Sequence, residues 1–100
     1  LQLEYRHKKV HLVQPTLEKI DTLKKGYGSD IYLCGGGIFA GWLLDNGFID
    51  VLKIKLNPII LGAGVRLFGT SITQYTLHLR ERQLHDHGLQ FLTYDLPKYR

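Results

Sequence analysis

Methionine is absent from this 100-residue sequence, cysteine and tryptophan occur once each, and proline occurs three times. A lone cysteine, Cys34, excludes an internal disulfide framework and fits a reducing, cytoplasmic setting. Lying among Ile31, Tyr32 and Leu33, it reads as a buried structural thiol rather than a nucleophile. No apolar run reaches the roughly 18 residues that a membrane-spanning helix needs. The longest candidate, from Ile31 to Leu44, is broken by three consecutive glycines, so no membrane partner is expected. There is no basic, apolar, small-residue leader at the front, which argues against secretion. With no initiator methionine, and with Leu1 opening into a polar stretch, the sequence reads as a piece of a longer protein or a processed chain.

What is present is ordinary globular composition: 44% hydrophobic, 22% charged, formal net charge +4. That length suits one small domain rather than two. The basic residues come as scattered pairs, Lys8-Lys9, Lys24-Lys25, Arg80 with Arg82, and Lys98 with Arg100. Nucleic acid would want them on one face with exposed aromatics, so no such partner is expected. A mildly basic surface does suit an anionic cofactor. Of the five histidines, only His85-Asp86-His87 resembles a metal motif. Zinc asks for three or four converging ligands, so these read as solvated loop histidines and no metal is expected.

Hydrophobic periodicity then orders the chain. Val10 and Leu12 alternate with polar neighbours, predicting a strand over 9–13. Pro15 suits the first turn of a helix carrying Leu17, Ile20 and Leu23, ended by Gly26 and Gly28. Ile31-Tyr32-Leu33-Cys34 reads as a strand covered on both faces. Ile38, Phe39, Trp42 and Leu43 form a helical stripe that Asn46-Gly47 stops, with Trp42 in the core. Residues 51–56 alternate as a strand, and Asn57-Pro58 then leads into Ile59-Ile60-Leu61 and a second glycine turn, Gly62-Ala63-Gly64. Segments 75–79 and 89–94 read as an antiparallel hairpin with a long polar connection from Arg80 to Gly88. The order predicts an α/β fold, a mixed sheet with helices packed on it.

The glycine turn Gly35-Gly36-Gly37 joins a strand to a helix. Glycine lets backbone approach a ligand closely, and a helix start offers unpaired N–H groups and a positive dipole end. Gly36, Gly37, Ile38 and Phe39 would present those groups to a phosphate. Three readings compete. Gly35, Gly37 and Ala40 satisfy G-x-G-x-x-A, but the ribose-binding acid about 20 residues on is replaced by Lys55, and Asp50 precedes its strand. A phosphate-binding P-loop fails because Trp42 follows Gly41 where lysine is required. A tight turn that only lets the helix pack on the sheet is the third.

Residues 31–69 as a whole run strand, Gly-Gly-Gly, short helix, Phe48-Ile49-Asp50, strand, then Pro58 through Phe68 as Pro-Ile-Ile-Leu-Gly-Ala-Gly-Val-Arg-Leu-Phe. This order resembles the C-terminal half of the dihydrofolate-reductase-like fold. It is most similar to the reductase domain of bacterial riboflavin-biosynthesis deaminase/reductases (RibD-type). The resemblance implies a single, incomplete reductase domain over 1–100, its N-terminal strands missing. It implies NADPH as cofactor, with Gly35, Gly36, Gly37, Ile38 and Phe39 against the pyrophosphate. It implies a cis peptide at Gly35-Gly36, as in dihydrofolate reductases. The family's sheet places another strand between 31–34 and 51–56, so a homo-oligomer is expected to fill the gap. The activity implied is 5-amino-6-(5-phosphoribosylamino)uracil reductase-like, on a pyrimidine or pterin-like small molecule. The alternative is a non-catalytic truncated relative serving as a nucleotide-binding or oligomerisation module. No catalytic residue is assigned.

Other residues take structural readings. Asp50 orients a loop or accepts backbone hydrogen bonds, and Asp45 and Asp50 form no acid pair. Gly62-Ala63-Gly64 reads as a sharp turn, and Arg66 as an exposed arginine near enough to meet an anion.

Overall fold

The computed structural model describes residues 13–98, in two compact units, one reaching to Ile31 and the other beginning at Tyr32. The strand expected over 9–13 lies outside the described residues except for Val13, which is irregular.

The first unit carries helix α1, Leu17–Lys25. Thr16, not Pro15, begins it: the Thr16 hydroxyl accepts from the Lys19 N–H at 3.2 Å, and its carbonyl accepts from Ile20 at 3.1 Å. Pro15 therefore stands one residue ahead of the cap, where its missing N–H costs nothing. Lys25 pairs with Asp21 one turn back at 2.8 Å, next to the helix end that favours a cation.

The second unit opens irregularly. Residues 31–34 form no strand, and Ile31, Tyr32, Leu33 and Cys34 are exposed. The expected covered strand and buried thiol are thus both corrected. A strand is held by ladder hydrogen bonds, and no described strand pairs with this segment. Lys53 instead places its ammonium 5.8 Å from the Tyr32 ring centroid.

Helix α2, Gly37–Asp45, follows. Its end is a Schellman motif. Gly47 takes φ 71°, its N–H reaches the Leu44 carbonyl at 3.1 Å, and the Phe48 N–H reaches Leu43 at 2.9 Å. Phe48 and Leu43 are both buried, supplying the apolar contact that accompanies this turn. With Ala40, Leu44 and Leu96 they form the core. Each large side chain there contributes about 1.5–3 kcal/mol on burial.

Among the described residues three strands make the sheet: β1 Val51–Leu56, β2 His78–Leu84 and β3 Gln90–Asp95, in the order β1-β3-β2. Both pairings are antiparallel, and the last strand lies in the middle. The Leu96 N–H extends the ladder to the Asp50 main-chain carbonyl at 3.0 Å. The hairpin is present, but β2 runs on through Leu84 where a polar connection was expected. As an outer strand β2 is exposed along its whole length, so no alternation of burial marks it. The true connection is a single 3₁₀ turn, Asp86–Gly88, closed by the His85 N–H on the Leu89 carbonyl at 2.7 Å.

Candidate functional site

Gly36 is the N-cap of α2, extended at φ −75°, ψ 171°, and among the described residues no side-chain hydrogen bond caps the helix there. Its carbonyl accepts from Ala40 at 3.1 Å. The N–H groups of Gly37, Ile38 and Phe39 precede the first intrahelical donor, so the helix supplies them no acceptor.

The three glycines have different surroundings. A Cβ on Gly36 would meet nothing within 4 Å. On Gly35 it would touch Phe39 Cδ2 at 3.4 Å and Leu33 Cδ1 at 3.6 Å. On Gly37 it would strike backbone: the Arg66 carbonyl at 2.9 Å, the Gly69 nitrogen at 3.1 Å and the Leu67 carbonyl at 3.3 Å. Open space thus lies at Gly36, and Gly37 is a packing glycine. Ile38 is exposed, and Phe39 is half-buried with its ring stacked on Trp42 at 6.0 Å. No cis peptide occurs among the described residues, so the Gly35-Gly36 bond is trans, contrary to expectation.

The buried face of α2 shares only Leu43 with the apolar stripe read in the sequence. Ile38 is 79% exposed, and Phe39 and Trp42 are half-buried. Ala40, Gly41, Leu43 and Leu44 are buried. The reason is close backbone approach: a Cβ on Gly41 would fall 2.4 Å from the Phe68 carbonyl oxygen. Gly37 and Gly41, one turn apart, let the turn over 66–69 lie directly on the helix. Gly69 completes the contact at φ 58°, where a Cβ would meet the Gly37 carbonyl oxygen at 2.9 Å. The signal was in the sequence as small residues at positions 37, 40 and 41, outweighed there by the larger side chains between them.

Polar contacts fasten the same segment lower on α2. The Ser71 hydroxyl donates to Asp45 Oδ1 at 2.5 Å, and the Thr73 hydroxyl donates to the same oxygen. The Thr73 N–H meets Ser71 Oγ at 3.3 Å, and the Tyr75 hydroxyl donates to the Leu44 carbonyl at 3.1 Å. Arg66 is exposed, as read from the sequence, and donates to the Ser71 carbonyl at 2.9 Å, bracing its own loop. The Ser71 and then Thr73 hydrogen bonds hold the Asp45 carboxyl below its ordinary 3.8, against a smaller opposing effect of desolvation.

Elsewhere, Arg80 grips Asp95 through both Nε and Nη2. His85 packs its ring edge-on against Phe91 at 5.2 Å, and His87 adopts φ 64° in the turn. Among the described residues no three of His, Cys, Asp and Glu converge as metal ligands, and no helix is long and apolar enough to cross a membrane. A shallow depression on the sheet is lined by Lys53, Glu81, Gln83, Phe91 and Thr93, and includes none of the glycine turn.

This α/β arrangement is reductase-like in fold. It is similar to the crystal structure of a pyrimidine reductase-like protein from Corynebacterium diphtheriae, with TM-score 0.57 and 26% identity, covering 64% of this chain and 27% of that one. The model of the RibD C-terminal domain matches residues 4–91, and the chain belongs to that family. The uncharacterized protein YyaP of Bacillus subtilis (strain 168) is 31% identical over 67 residues, 67% of this chain and 36% of that protein. The chain therefore spans about a third of the curated relative's length.

Proposed function

We propose that this chain is the pyrophosphate-holding part of an NADPH-dependent reductase acting on a small pyrimidine or pterin-like heterocycle. Membership of the RibD C-terminal family supports the reductase class. The observation that carries the cofactor is Gly36, a side-chain-free cap with open space beside it, ahead of amides that have no helical acceptor. The open space at Gly36 is where a diphosphate would rest. Gly35 and Gly36 would admit it, and the Gly37, Ile38 and Phe39 N–H groups would donate to it, aided by the positive helix end. NADPH, when bound, supplies the hydride; the chain's own residues bind and orient. The reading places the protein in the cytoplasm. It also has the protein self-associating, through surface that includes Ile60, Val65 and Ile72, each at least 88% exposed.

The test is Gly36→Asp. Its backbone angles are ones any residue adopts, and aspartate is a better helix cap than glycine by a few tenths of a kcal/mol. Stability should hold or rise slightly. The carboxylate would cap the amides and repel a diphosphate, so calorimetric titration should show NADPH affinity falling by about a hundredfold. Undiminished NADPH affinity in a folded Gly36→Asp protein would remove the glycine turn from the site.

A further inference from the structure

Two layers of contact join α2 to the segment over 66–75. Near the helix start the contact is glycine against backbone, Gly37 and Gly41 on the Arg66–Gly69 turn. Near the helix end it is polar, Asp45 receiving the Ser71 and Thr73 hydroxyls. Bare glycine contacts are permissive: they allow close approach but gain little side-chain burial to hold it. The polar contacts are directional and place two hydroxyls on one oxygen. Asp45 is also poorly matched to its position, since a carboxylate at a helix C-terminus opposes the dipole. Its hydrogen bonds offset that mismatch, and they lead directly through Ser71 into the turn that abuts Gly37. The Ser71 N–H bonds the Phe68 carbonyl at 3.1 Å, and the Gly69 N–H bonds Arg66 at 3.2 Å.

We infer that Asp45 is a positioning residue: by fastening Ser71 and Thr73 it seats the turn over 66–69 against Gly37, and so sets the placement of the backbone at Gly36 and Gly37. The consequence for cofactor affinity rests on the function proposed above. The placement itself does not.

Asp45→Ala tests it in the full chain, with Asp45→Asn as the conservative variant that keeps an acceptor and Thr73→Val as the milder change should Asp45→Ala not fold. Asp45→Ala should shift the Gly36 and Gly37 amide resonances, speed hydrogen exchange at Gly69 and Ser71, and weaken NADPH binding by about fivefold to tenfold. Asp45→Asn should restore most of each. Asp45→Ala added to a Ser71→Ala, Thr73→Val double variant should cost little more, because all three act through one set of bonds. Unchanged Gly36 and Gly37 resonances in Asp45→Ala overturn the inference, as does loss of global stability with no selective change at Gly69. If the unaltered protein fails to bind NADPH, the proposed function falls, and the resonances still judge the positioning.

Discussion

Gly36, Gly41 and Gly47 are three glycines with three separate reasons, and a methyl group distinguishes them. At Gly36 there is room and an ordinary φ, so substitution leaves the fold undisturbed. At Gly41 the added Cβ would lie 2.4 Å from a carbonyl oxygen. Alanine gains about 1 kcal/mol of helix propensity over glycine, and overpacking costs about 1–3 kcal/mol. The neighbour here is backbone, which cannot step aside, so the cost should win. Gly41→Ala is expected to lower the melting temperature, and a rise would show that the turn over 66–69 does not press on α2. At Gly47 the obstacle is conformation, since φ 71° disfavours any L side chain. Gly47→Ala should lose about 1 kcal/mol, or some 4–8 °C in a thermal melt. An unchanged melt would show that the Schellman turn is dispensable. Of these, the C-terminal stop was legible as Asn46-Gly47; the packing glycine at 41 was not, because its partner lies 27 residues away.

At the level of elements, two carboxylates tie distant segments together. Asp45 joins α2 to the loop at Ser71 and Thr73, and Asp95 joins β3 to Arg80 on β2. The β2–β3 register shifts between Leu79 and Glu81, which leaves Arg80 as the extra residue of a bulge. Both carboxyls titrate below their ordinary 3.8, Asp45 mainly through the Ser71 hydrogen bond and Asp95 mainly through that of Arg80. A carboxyl depressed on folding contributes stability that is in place above its unfolded value and is lost as pH falls through the folded one. Stability should therefore be flat from about pH 5 upward on this account and decline below about pH 4. An acid titration followed by circular dichroism checks it. Asp45→Asn should shallow the decline, and an identical curve would mean that Asp45 makes no such contribution. The alternation of residues 51–56 announced β1. The length of β2 was hidden, because a strand solvated on both faces has no periodicity to read.

For the whole molecule, the outer edge of β1 matters most. β3 is paired on both sides, whereas β1 has no hydrogen-bonded neighbour on its outer edge among the described residues. An unpaired edge with exposed Val51 and Leu56 is a template for another strand. Self-association is the expected outcome. Sedimentation equilibrium should report a mass above that of one chain, and Leu52→Pro, which removes a strand N–H and constrains φ, should weaken both the sheet and the assembly. A single-chain mass at micromolar concentration would exclude self-association through this edge.

Local chemistry along the chain was enough to settle α1, α2, β1 and β3 and the order that marks the family. Caps, glycine stops and alternation act between residues a few positions apart, so they can be read in one dimension. Three outcomes depended on contacts between distant residues. Ile31 to Cys34 did not become a strand, because a strand needs a partner that its own side chains cannot supply. The side of α2 against the turn over 66–69 fell on small residues, because backbone at Phe68 and Gly69 comes close enough to exclude larger ones. Asp45, an acid at a helix end with no partner to be read nearby, acquired two hydroxyl donors because the chain folds back 26 and 28 residues later to meet it.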